Sequence, residues 1–211
     1  MRRPILIALL IASIAGTSLA QVVQAPYAYA QDAIDQNKAD TFYVNMFTRP
    51  PGDKAYACFM RRYDAEHQAQ HPKQKVAAMK LLVAAEIPEG EQRLGYSFHV
   101  GVKFRHRAGD FESSGYCNHA IAEDDGHEIR FVCGVDCDGG GINVALSKDD
   151  KSAIVRLERV RIWNGKKPDE DDDLWLTSGA DDKIFRLDRV EAQECASLVT
   201  DREELAALRQ K

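Results

Sequence analysis

Between residues 96 and 105 the side chains alternate without a break, with Tyr96, Phe98, Val100, Val102 and Phe104 set against Ser97, His99, Gly101, Lys103 and Arg105. Period two sends successive side chains to opposite faces, so the segment is predicted to be a strand with one buried face. Met79, Leu81, Val83, Ala85 and Ile87 repeat that period. Leu82 and Ala84 between them leave a helix open, but strand is preferred. Phe111 to Ile121 and Glu128 to Cys133 flank Glu123-Asp124-Asp125-Gly126, a hairpin signal. A register that sets Cys117 opposite Cys133 also sets His119 opposite Phe131 and Ile121 opposite Ile129, all on one face. Further strands are expected at Ile142 to Leu146, Ala153 to Trp163, Leu174 to Thr177 and Lys183 to Val190. They are separated by Lys148-Asp149-Asp150-Lys151, Asn164-Gly165 and Gly179-Ala180-Asp181-Asp182.

Helical spacing is read at both ends of this run. Ala55, Tyr56, Phe59, Met60 and Tyr63 suggest an amphipathic helix over Asp53 to Gln70, closed before Pro72. Thr200 and Glu203 have capping-box spacing ahead of Leu205 and Leu208. About eight strands in sequential order, without the helices that parallel pairing needs, give a mainly β chain. The expected fold is an antiparallel meander forming a small up-and-down barrel or a strongly curled sheet, with an N-terminal and a C-terminal helix packed outside. With Phe98, Phe104 and Phe131 facing inward, its interior is expected to be filled.

The N-terminus adds an address. Arg2 and Arg3 precede an apolar run from Ile5 to Ala15 and then small residues, the layout of a secretory signal. The run is too short for a membrane-spanning helix, which needs about 20 residues. Residues 1–20 are read as the signal, with Ala30 as the alternative end, residues 31–52 as a flexible polar arm, and residues 53–211 as one domain. The mature chain is expected in the periplasm or outside the cell, without a stable membrane anchor. The formal charge of -5 becomes -7 when Arg2 and Arg3 leave with the signal, which argues against nucleic acid or an anionic membrane as the main partner.

Export changes the reading of the five cysteines, because an oxidising compartment favours disulfides over thiols. Cys117 with Cys133 is the preferred pair, with Cys133–Cys137 as its local rival. Cys58 with Cys195 is a further pair that would clamp the two terminal helices. One cysteine is left over, buried or reactive.

Candidate chemistry is sparse. Asp136 and Asp138, followed by glycines, resemble the opening of a calcium loop. Positions five and twelve of an EF-hand count would be Gly140 and Ser147, however, so a glycine-rich connection is the preferred account. Zinc would recruit Cys133, Cys137, His119 and His127, without a second matched ligand pair. His67 and His71 are four apart but enclose no glutamate, and solvated surface is expected for them. His119 shares the face of Cys117 and is expected to be a partly buried, hydrogen-bonded core histidine. Ser113-Ser114-Gly115 lies within a strand and not on a nucleophile elbow. The acidic run 169–173 is expected to be an exposed loop, with Trp163 and Trp175 plugging a barrel end beside it.

No catalytic residue and no cofactor is assigned. The leading reading is an exported, non-enzymatic binding or interaction module with an unidentified protein or small-molecule partner. One alternative is a carrier of a small apolar ligand in a lipocalin-like barrel, an analogy of fold with no shared motif. The other is a hydrolytic enzyme without a recognisable motif.

Overall fold

The computed structural model describes residues 34–52, 54–122, 128–165 and 174–209. The residues read as a signal, the turn expected at 123–126 and the acidic run at 169–173 lie outside the described residues. Eight antiparallel strands close into a barrel: β1 (Ala55–Arg62), β2 (Val76–Glu86), β3 (Gly95–Phe104), β4 (Phe111–Ala122), β5 (Glu128–Gly134), β6 (Gly140–Leu146), β7 (Ser152–Arg161) and β10 (Ile184–Val190). Each pairs with its neighbour in sequence, and β10 closes the circle by pairing with both β7 and β1. Two short strands, β8 (Trp163–Asn164) and β9 (Trp175–Thr177), add to β4 and β7.

Alternation decides what enters the barrel. Phe98, Val100 and Val102 of β3 join the core with Phe59, Leu81, Val83, Phe131, Val144, Val155 and Phe185, all 2% exposed or less. The β4–β5 hairpin has the register expected of it, with Cys117 opposite Cys133, His119 opposite Phe131 and Ile121 opposite Ile129. At β6 the chain passes so close to β7 that Gly140, at φ +66°, leaves no room for a Cβ against the Arg159 carbonyl.

Two expectations fail, for one physical reason each. Asp53 to Gln70 is not one helix: β1 occupies residues 55–62 and a single short helix, α2 (Ala65–Gln70), follows. Both faces of β1 are covered. Ala55, Ala57 and Phe59 enter the core, while Tyr56 and Cys58 belong to a second apolar cluster outside the wall. A strand buried on both faces loses its period-two signature and can mimic a helical stripe. Leu82 and Ala84 of β2 blurred its period for the same reason, since they lie in that outer cluster.

The segment expected as a loose arm carries α1 (Gln36–Phe47). Asp35 caps it through Asn37 N, and Thr48 ends it in the left-handed region. Phe42, Tyr43, Met46 and Phe47 recur at i, i+1, i+4 and i+5, which gives one apolar stripe. That stripe is buried against the barrel core, so the helix lies across one mouth. Arg189 of β10 fastens its end, donating from Nη1 to the Met46 carbonyl (2.8 Å) and from Nη2 to the Asn45 carbonyl (2.9 Å).

The C-terminal segment covers the outer face of β1–β3. A 3₁₀ helix (Ala192–Leu198) leads to α3 (Arg202–Arg209), and Cys195, Leu198, Val199 and Leu208 complete the outer cluster. Leu198 rests on Gly101 so closely that a Cβ there would meet it at 2.5 Å. The cap of α3 is Asp201, which accepts from the Glu203 and Glu204 amides, and not Thr200. A disulfide joins Cys58 to Cys195, so the clamp ties a strand, and not an N-terminal helix, to the C-terminal segment. A second joins Cys117 to Cys133 inside the barrel. Two disulfides suit an oxidising environment.

Two outcomes follow for stability. The Phe47→Ala variant should lose about 3–5 kcal/mol in urea unfolding, as a large core truncation does, whereas a loose arm would give less than about 0.5 kcal/mol. Replacing both Cys58 and Cys195 by serine, across a sequence separation of 137, should cost about 2–5 kcal/mol while leaving the far-ultraviolet circular dichroism unchanged.

Candidate functional site

Three places bring polar chemistry together. The first is the barrel mouth beneath α1. Here Phe42 meets Phe131 edge-on at 4.9 Å, and Tyr96 lies 4.9 Å from His119 and 4.7 Å from Phe131 between ring centroids. The His119 ring is therefore wrapped by aromatic faces on β3, β5 and α1. It is partly buried, as expected, and among the described residues its Nε2 has no hydrogen-bond partner. The Tyr43 hydroxyl close by is also buried without a partner among the described residues. Burial sets the titration of the cluster. It pushes the Tyr96 hydroxyl up to about 12, helped by Tyr43 and Asp40. It also holds His119 below its ordinary value, with Asp40 pulling weakly the other way.

The second place is a groove on the outer wall, divided by the Leu198 side chain. One half, about 320 Å³, runs over Met60, Arg62, Ala78, Lys80 and Lys103. The other, about 680 Å³, is bordered by His99, Glu112, Ser114 and Trp163, and both halves reach Glu112 and Leu198. His99 and Ser114 stand opposite each other on β3 and β4 and so share this outer face. Desolvation keeps His99 below its usual value, against Glu204 of α3, which raises it, and Lys54, which lowers it. Desolvation also raises the Glu112 carboxyl, with Asp110 adding to the effect. A neutral imidazole beside a serine is the raw material of a nucleophile. A catalytic pair, however, also needs a hydrogen bond and an oriented third group. Among the described residues neither accompanies His99.

The third place is the turn between β5 and β6, which carries Asp136 and Asp138 on either side of Cys137. Cys137 is free and exposed, and both it and Asp138 have positive φ, 57° and 59°. The two carboxylates find no third ligand: no group of three or more His, Cys, Asp or Glu among the described residues could hold a metal ion. The zinc set is dispersed. Cys133 is in a disulfide, His119 is inside the barrel mouth, and His127 lies outside the described residues.

His67 and His71 are half-buried, not solvated. Their rings stack at 4.3 Å, and His67 Nε2 meets Gln74 Oε1 at 3.0 Å. Trp163 is buried on β8 beside the start of β4, and Arg159 lies 3.5 Å over the Trp175 ring. No pattern pointed to Asp182, which is fully buried and accepts from the Lys75 (2.7 Å) and Val76 (3.2 Å) amides, fixing the start of β2. Its role is structural.

The two depressed histidines give stability a defined pH dependence. An imidazole whose folded pKa lies below its unfolded value binds protons better in the unfolded chain. Its contribution to stability is therefore complete above about pH 6.5 and is lost as pH falls from there through the folded pKa. The urea midpoint should fall between about pH 7 and 5.5. A His119→Phe variant should fall less steeply, retaining only the part due to His99, with stability at pH 7 equal to or above that of the parent. An unchanged slope would place His119 outside the buried cluster.

No family model matches the chain, and no curated protein or solved structure matches it, so its geometry alone carries what can be said of its function.

Proposed function

We propose that this chain is an exported, non-enzymatic binding module that engages a protein partner from its outer surface. The observation that carries this reading is the filled interior. Phe59, Phe98, Phe131, Phe185 and the aliphatic residues between them occupy the space that a carrier of the same strand number would leave for a ligand. The Phe42 and Tyr43 side chains of α1 close the mouth through which such a ligand would pass. The concave surfaces at Leu198 and at the two ends of α1 are lined by rim and outer-wall residues. Export is supported by the N-terminal pattern of Arg2, Arg3 and the apolar run that follows, and by two disulfides that an oxidising compartment would preserve.

The carrier reading keeps one point in its favour, because an eight-stranded antiparallel barrel with disulfides is compatible with a lipocalin-like fold, in which displacement of α1 would open the mouth. The two readings separate in one experiment. The mature protein, purified without detergent from the envelope or medium of its source, is examined by native mass spectrometry and used for affinity capture. Binding of the captured protein is then checked with both components pure. The expected outcome is a ligand-free mass together with a protein that binds the purified chain directly. A stoichiometric small apolar molecule released by organic solvent would overturn the reading in favour of a carrier.

A further inference from the structure

At the end of the barrel that α1 covers, β10 stops at Val190 and pairs with β1 only over Cys58 to Met60, whereas β2 pairs with β1 from Ala55 onward. The edge of β1 at Ala55 to Ala57 therefore has no strand partner on the β10 side among the described residues. A cleft of about 460 Å³ opens there, between the end of α1, the start of β1 and the end of β10.

Its lining is unlike the chain as a whole. Arg49, Lys151 and Arg189 all contribute, and Glu191 is the single acidic residue among the lining, although the formal charge of the protein is -5. Among the described residues the ion pairs are Lys54 with Glu86 and Glu204, Arg61 with Asp188, and Lys103 with Asp110, so none involves these three cations. Arg189 is fixed. Its guanidinium faces the Phe59 ring at 4.6 Å, and it donates to the carbonyls of Asn45, Met46 and Asp150, the last from both Nε (3.1 Å) and Nη2 (3.0 Å). Carbonyls satisfy its donors, the Asp150 carboxylate acts on its charge from nearby, and the guanidinium is held in place as one cationic side of the cleft. Arg49 and Lys151 come from the two flanking turns, the exit of α1 and the β6–β7 connection, and their long side chains can close on an anion from either side. The Thr48 hydroxyl at the same rim spends its proton on the Phe47 carbonyl, which leaves the cations as the recognition groups.

We propose that this cleft is an oxyanion site, in which Arg49 and Lys151, backed by the carbonyl-pinned Arg189, hold a phosphate-bearing group, either on a free small molecule or on a lipid headgroup. Lys151 is exposed and Arg49 partly buried, and a phosphate that enters between them gains charge-assisted hydrogen bonds that a neutral ligand cannot offer. The volume exceeds that of one phosphate, so a diphosphate or a phosphate ester with a small organic body fits the space. The site does not depend on the protein-partner reading, and it would stand if no such partner existed.

Isothermal titration of the full mature chain with inorganic pyrophosphate at low ionic strength tests the site. Pelleting with phosphatidylcholine vesicles, with and without phosphatidylglycerol, identifies the source of the phosphate. Binding should be saturable and should weaken as salt rises. It should weaken about tenfold or more in the double variant Arg49→Gln/Lys151→Gln, whose melting temperature should match that of the parent. The control Lys75→Gln/Lys183→Gln removes the same charge where β2 and β10 begin, away from the cleft, and should bind as the parent does. Pyrophosphate binding without pelleting assigns a free ligand. Pelleting that needs phosphatidylglycerol and is lost in the Arg49/Lys151 variant assigns a headgroup. Absence of both, or an equal loss in the control variant, overturns the proposal.

Discussion

An eight-stranded barrel encloses a space that must be occupied by side chains or by a ligand, because a dry void forfeits the dispersion contacts of everything that lines it. In this chain phenylalanines from four different strands, Phe59, Phe98, Phe131 and Phe185, meet in that space with branched aliphatic residues between them. The rest of the structure follows from that occupation. A filled barrel needs a plug at its mouth only to keep water from the last layer of apolar residues, and α1 supplies one with Phe42, Tyr43, Met46 and Phe47. The concave surfaces that remain lie at the rim and on the outer wall of the barrel.

A second burial layer depends on the first. The outer faces of β1 and β2 are apolar at Tyr56, Cys58, Leu82 and Ala84, and a barrel wall with such a stripe exposed would be a site of association. The C-terminal 3₁₀ helix and α3 cover it, and the Cys58–Cys195 bridge holds them there. Leu198 then stands as a ridge on Gly101, with a groove on either side. At the opposite flank the cover ends, β10 stops short of Ala55, and the cleft of Arg49, Lys151 and Arg189 remains open. Each concave surface in this account is thus a consequence of where one layer stops covering another.

Strands with one polar face were legible in the sequence, and those with two apolar faces were not. The alternation of Tyr96 to Arg105 gave β3 directly. The Cys117 register gave the β4–β5 hairpin, because a single offset satisfied three cross-strand pairs at once. β1 failed because its outward residues are buried by a segment some 130 positions later, which no local window can contain. The helix α1 failed because its four core side chains stand among asparagine, aspartate and lysine, and its stripe makes sense only once a barrel mouth exists to receive it. Arg189 was silent for a similar reason. Its contacts reach back more than 140 positions to the α1 carbonyls, and a basic residue in a strand otherwise reads as solvated surface.

The central claim is that the barrel interior belongs to the protein and not to a ligand. Methyl-resolved nuclear magnetic resonance during titration with dodecanoate tests it most directly, because Val83, Val100, Val144, Val155 and Leu157 report from inside the wall. The account predicts that these methyl signals stay fixed through the titration, with any shifts confined to surface positions such as Val44 and Val132. Saturable movement of the inward methyls, together with release of the Met46 methyl signal of α1, would contradict it.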